Sequence, residues 1–165
     1  MIEYRVATLE DLKNVWDKDI RGNIGDERYK RWKNEYIGYN LNGDAKTFVA
    51  VDNNDVIAQI TVILKPNVKA VMGKEKLCDG KHIANMNAFR CDKEYEGKGH
   101  ISKLVKLGEE YVRNIGYNYI TIGSEARETR NLSIYFHFGY TEFLMSEVDE
   151  QEEDDPLVLY YGKKL

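Results

Sequence analysis

Hydrophobic and polar positions change period several times along the chain, and each change marks an element. IEYRVA alternates well enough for a first strand. TLEDLKNVWDKDI then sets Leu9, Leu12, Val15, Trp16 and Ile20 on a helical stripe, with Thr8 as N-cap and Asp11 as its capping-box partner. A second helix is expected from about Asp26 to Tyr39, where Tyr29, Trp32, Tyr36 and Tyr39 recur on one face. KTFVAV and VIAQITVIL flank the turn formers DNND, which predicts an antiparallel hairpin. A polar stretch, KPNVKAVMGKEKLCDG, separates the hairpin from KHIANMNAFRC, expected as a strand. ISKLVKLGEEYVRNIG has helical period and ends at Gly116, where a C-cap glycine belongs. YNYITIGS reads as a strand and ETRNLSIYFHFGY as a short helix closed by Gly139. TEFLMS and LVLYYGK are the last two strands, on either side of the acidic EVDEQEEDD.

The order β-α-α-β-β-β-α-β-α-β-β predicts an α/β (α+β) fold. Its sheet should be mixed, central and mostly antiparallel, with helices on both faces. No repeat, linker or compositional shift divides the chain, so residues 1–165 read as one domain. LVLYYGK is expected at an outer edge of the sheet, which leaves a homodimer through that edge open.

Charge and rare residues narrow the partners. With 24 Lys+Arg against 28 Asp+Glu the net charge is −4, which argues against a nucleic-acid partner. No run approaches the roughly 20 apolar residues of a membrane span. The start, MIEYRVATLEDL, lacks the apolar core of a signal peptide. Cys78 and Cys91 lie apart with no CxxC, as expected of reduced thiols in a cytoplasmic protein. The three histidines are not grouped at ligand spacing, so no metal site is expected, and His137 reads as a packing or surface residue.

The candidate chemistry centres on YEGKGHISKL, residues 95–104. This is neither GxxxxGK[ST] nor GxGxxG, so it is no ATPase loop or dinucleotide fingerprint. It is still a glycine-rich turn between a strand and a helix. A helix N-terminus offers unpaired N–H groups and a partial positive charge to a phosphate, and Lys98 and His100 add donors. Read alone, the segment serves equally as a turn that needs glycine.

Together with the downstream IYFHFGY, the segment resembles the GNAT-type N-acetyltransferase superfamily. That family carries a motif [Q/R]-x-x-G-x-[G/A] and, later, a Tyr followed after three residues by Gly-aromatic, here Tyr135, Gly139 and Tyr140. The two motifs cover roughly residues 81–146, and the earlier part matches only in element order. The resemblance implies acetyl-coenzyme A as co-substrate, lying between the strands HIANMNAFRC and YNYITIGS. It implies a pyrophosphate site on Gly97, Lys98, Gly99, His100, Ile101 and Ser102, and a pantetheine arm paired with the backbone around Phe89 and Cys91. It also implies direct attack by the amine, with Tyr135 protonating the leaving thiolate. Set on this segment, the motif leaves Glu96 where Gln or Arg is usual and Ile101 at the final Gly/Ala position. Glu96 would repel the pyrophosphate by about 1 kcal/mol if solvated, and Ile101 would narrow the approach. These departures motivate an alternative, a catalytically inactive coenzyme A-binding or regulatory module. A phosphate-ligand binder unrelated to acetyl transfer is a third reading.

On the acceptor side, a small-molecule or peptide amine is expected. Glu125, beyond YNYITIGS, is the first candidate base, with His82 and Glu94 behind it. Asn85 and Asn87 could orient the acceptor or sit as polar residues of the sheet. Tyr29 and Trp32 could wall the acceptor pocket or pack the helix onto the sheet. Glu147, Asp149, Glu150, Glu152, Glu153, Asp154 and Asp155 form a solvated loop or a lure for a cationic acceptor.

Overall fold

The computed structural model describes residues 1–150 and 154–165. Its elements are β1 (Ile2–Val6), α1 (Leu9–Gly22), α2 (Arg28–Asn42), β2 (Ala45–Asp52), β3 (Asp55–Ile63) and β4 (Ile83–Cys91). They continue with α3 (His100–Asn114), β5 (Tyr119–Glu125), α4 (Thr129–His137), β6 (Glu142–Val148) and β7 (Leu157–Lys164). A single 3-10 turn, Lys93–Tyr95, lies between β4 and α3. The seven strands form one sheet in the order β1-β2-β3-β4-β5-β7-β6. Every neighbouring pair is antiparallel except β4 and β5, which run parallel with α3 as their crossover.

Strand periodicity separates two cores. On β2, Phe48 and Ala50 join the cluster containing Leu104, Val105 and Val112 of α3. Val49 and Val51 join Val15 and Trp16 of α1 and Tyr36 of α2. Successive side chains of a strand point to opposite faces, so β2 serves both helical layers. Helix α1 starts where the capping box forms: the Asp11 N–H donates to Thr8 Oγ1 at 3.2 Å and the Thr8 N–H to Asp11 Oδ2 at 2.7 Å. Helix α2 starts at Arg28, whose N–H bonds Asp26 Oδ1 at 3.1 Å, and ends at Gly43 with a φ of 79°.

Three expectations need correction. LVLYYGK is not an edge: β7 pairs with both β5 and β6, and the free edges are β1 and β6. The hairpin folds β7 inward, and a side chain at Gly162 would collide with the Tyr119 ring on the neighbouring strand. The stretch between β3 and β4 is less polar than it reads, because Val68, Val71, Leu77 and Cys78 are buried as a third cluster against Ala45 and Ile63. The acidic run also begins inside β6, which extends to Val148. Among the described residues, no helix is long and apolar enough to cross a membrane.

Candidate active site

The parallel pair β4–β5 holds together for only three rungs, Ile83↔Tyr119, Ala84↔Ile120 and Asn85↔Thr121. Beyond them the strands part. Asn85 fastens the last rung: its Nδ2 donates to Thr121 Oγ1 at 3.0 Å and to the Thr121 carbonyl at 3.3 Å. On the other side of β4 the register against β3 slips from Gln59↔Arg90 to Thr61↔Asn87. Two residues, Ala88 and Phe89, therefore stand opposite the single Ile60. This is a β-bulge, and Ala88 has a φ of 54°, in the left-handed region that non-glycine residues seldom enter. A bulge bends its strand, and here it lies on the half of β4 that leaves β5.

A cleft of about 350 Å³ opens at this point. Phe89 and Cys91 line one wall, and Gly97, Gly99, Ile101 and Ser102 line another. Arg130, Asn131 and Tyr135 of α4 close it. The loop before α3 turns at two positive-φ glycines, Gly97 (75°) and Gly99 (84°). A Cβ added to either would meet nothing within 4 Å, so the space before the loop is open to a ligand. Gly99 is the N-cap, and the first N–H groups of α3 have no carbonyl one turn back inside the helix. Lys98 Nζ lies 5.6 Å from the centroid of the Tyr95 ring and Lys103 Nζ 4.8 Å from that of Tyr4. His100 is buried, with Nδ1 2.7 Å from the Tyr4 hydroxyl. Burial first, then the charges of Lys103 and Lys98, hold its pKa below the ordinary histidine value. The donor set suits a pyrophosphate.

Gly97 and Gly99 both turn at positive φ, and His100 and Ile101 lie in the first turn of α3. Glu96 itself lies 3.9 Å from Arg130 in an exposed ion pair.

Tyr135 is 9% exposed and packs against Phe89 with ring centroids 5.1 Å apart. Burial alone pushes its phenol up to about 12, so the hydroxyl keeps its proton across the neutral and alkaline range. The thiol of Cys91 is also raised, by burial and then by Glu96 and Asp92.

A second cavity, of about 370 Å³, adjoins the cleft and shares Phe89 and Arg90 with it. Trp16, Tyr29, Trp32 and Tyr36 wall it. A third groove, of about 430 Å³, shares Trp32 and Tyr36 and is edged by Glu147, Asp149 and Glu150, with Lys69 and Lys74 on the same lining. Glu147 is tied to Lys74 at 3.1 Å and to the Tyr160 hydroxyl at 3.1 Å. Glu152 and Glu153 fall outside the described residues.

Other expected positions lie elsewhere. Asn85 and Asn87 line none of these cavities; Asn85 latches Thr121, and Asn87 Oδ1 accepts from the Tyr36 hydroxyl at 3.0 Å. Glu125 pairs with Arg127 at 3.0 Å and is likewise absent from the cavity walls. His82 sits just before β4, at the opposite end of that strand from the cleft. Sequence reasoning missed Arg90, Asp19, Arg130 and Gln59. Gln59 had a signal, as the one strongly polar side chain inside the apolar run VIAQITVIL.

The splayed parallel pair and its glycine loop accompany a direct family match. Residues 9–140 match the model of the acetyltransferase (GNAT) family. The chain belongs to this family. A search of curated protein sequences gives no significant match. Among solved structures, an N-acetyltransferase from Staphylococcus aureus superposes with a TM-score of 0.73 at 16% identity, covering 99% of this chain and 98% of that one. An acetyltransferase from Salmonella typhimurium, solved with its cofactor acetyl-CoA, gives 0.71 at 12% identity over 99% and 94%. The spermidine/spermine N-acetyltransferase SpeG from Vibrio cholerae gives 0.69 at 14% identity over 99% and 95%. At such identities these GNAT neighbours share the fold.

Proposed function

We propose that this GNAT protein is an N-acetyltransferase that moves the acetyl group of acetyl-coenzyme A to a primary amine by direct attack. The observation that carries the reading is the parting of β4 from β5 directly beside the N-terminus of α3, with Tyr135 in the same cleft. The unpaired N–H groups around Gly99, His100, Ile101 and Ser102 would hold the pyrophosphate, with Gly97 turning the loop and Lys98 and Arg130 adding charge. The backbone of Phe89 to Cys91, freed from β5, would pair with the pantetheine arm. The bound thioester supplies an activated acetyl carbon.

The amine nitrogen, deprotonated, forms the new C–N bond at that carbon as the C–S bond breaks. Tyr135 gives its hydroxyl proton to the departing sulfur and regains one from solvent. The proton shed by the nitrogen leaves to water, with Glu125 reached only through that water. A raised phenol suits this role, because it stays protonated until a thiolate forms beside it. Cys91 takes no covalent part, since its raised pKa keeps it a thiol at neutral pH. The inactive-module alternative rests on Glu96 and Ile101; Glu96 is exposed and lies 3.9 Å from Arg130, and the backbone N–H of Ile101, in the first turn of α3, serves a phosphate whatever its side chain.

Thiol release from acetyl-coenzyme A across a panel of primary amines tests the proposal. Tyr135→Phe should lower kcat by about 10²-fold while leaving acetyl-coenzyme A binding unchanged. Absence of thiol release with every amine, or full turnover by Tyr135→Phe, would overturn it.

A further inference from the structure

The cavity beside the cleft has a composition the reaction alone does not explain. Among the described residues it is lined by five aromatic side chains, and its only full charges are Asp19 and Arg90. These two are spent on each other, with Arg90 Nε 2.5 Å from Asp19 Oδ1. Arg90 Nη1 also lies 2.6 Å from Asp92, which in turn holds Lys18 at 2.9 Å, and Lys18 holds Asp55 at 2.7 Å. Three carboxylates and two cations make this network net negative by one. A carboxylate entering the cavity would find both cations of this network already ion-paired, although the buried Arg90 Nη1 makes no hydrogen bond, whereas an amine would enter a slightly negative, aromatic surround.

Gln59 is the second observation. It is 2% exposed, lines this cavity, and its Oε1 is buried with no hydrogen-bond donor. A buried amide oxygen without a partner is costly and uncommon. The bulge accounts for its placement, because Gln59↔Arg90 is the last rung before the register slips. The terminal torsion of a glutamine is broad, so a turn of the amide presents either end to the cavity. The volume of about 370 Å³ lies at the small end of the range for small-molecule sites.

Resting on the acetyltransferase reading, we infer that the acceptor is a compact primary amine with an apolar body and no carboxylate, oriented by the Gln59 carboxamide. Gln59 accepts an N–H of that amine, the aromatic walls cover its body, and the Asp19–Arg90–Asp92 array turns away the corresponding amino acid. Gln59 is thus a positioning residue that sets specificity, with no part in bond making.

The chain has two tryptophans, Trp16 and Trp32, and both line this cavity, so intrinsic fluorescence reports on it directly. The test titrates the coenzyme A-loaded protein with phenethylamine and, separately, with phenylalanine, which adds only a carboxylate. A saturable change with phenethylamine, absent or at least about tenfold weaker with phenylalanine, is expected. Gln59→Met, close in shape but without the amide, should weaken phenethylamine binding by about tenfold while calorimetric coenzyme A affinity stays at the wild-type value. Gln59→Glu, which keeps an acceptor oxygen, should bind phenethylamine better than Gln59→Met. Equal response to both ligands, no response to the amine, or wild-type amine binding by Gln59→Met would each overturn the inference. An amine that binds here but releases no thiol would instead count against acetyl transfer itself.

Discussion

Single side chains in this protein carry distinct duties, and their ionisation separates them. Cys91 lines the cleft but remains protonated at neutral pH, because burial and the nearby Glu96 and Asp92 raise its thiol. Cys91→Ala should therefore keep wild-type kcat in a thiol-release assay; loss of turnover would point to an acetyl-cysteine route. Asp11 is a structural counterpart. Burial works against its charge, but Arg5 and the Thr8 backbone and hydroxyl together outweigh burial and hold the carboxyl below its ordinary value. A lowered folded-state pKa stabilises fully above the unfolded carboxylate value of about 3.9 and is lost as pH falls through the folded value. Asp11→Asn should cost about 1 kcal/mol at neutral pH, as for other lost caps, and should flatten the acid limb of the stability curve in urea titrations. An unchanged acid limb would mean the capping box contributes nothing to acid sensitivity.

At the level of elements, the site depends on how closely α3 lies on the sheet. Gly108 faces β3 and β4, and a Cβ there would sit 2.9 Å from Ile60, 3.0 Å from Met86 and 3.2 Å from Val62. Gly108→Val should destabilise by about 1–3 kcal/mol through overpacking. It should also weaken acetyl-coenzyme A binding, since it pushes the helix that presents the loop N–H groups. Urea unfolding and calorimetry read the two effects, and a variant as stable as wild type would show that the contact is slack. Helical stripes and strand alternation made nearly every element legible beforehand. Periodicity says which face a residue takes but not which strands are neighbours, so β7 could be read as an edge although it is inserted between β5 and β6. The bulge was hidden because Ala88, not glycine, adopts its positive φ. The buried connector was hidden because Val68, Val71, Leu77 and Cys78 follow neither strand nor helix period.

Over the whole molecule, three cavities adjoin one another outward from the opened half of β4. The cleft beside Tyr135 and the aromatic cavity share Phe89 and Arg90, and the aromatic cavity shares Trp32 and Tyr36 with the acid-edged groove. The glycine loop and Tyr135 were readable as motifs because backbone geometry and one phenol carry their chemistry. The aromatic cavity was only half readable, since Tyr29 and Trp32 stand out in α2 while Asp19, Gln59 and Arg90 come together from α1, β3 and β4. The central claim is that the splayed strands and the N-terminus of α3 form an acetyl-coenzyme A site. Calorimetric titration of the purified protein with acetyl-coenzyme A tests it most directly. The account predicts one saturable site in about the micromolar range usual for enzyme substrates; no heat of binding up to millimolar ligand would contradict it.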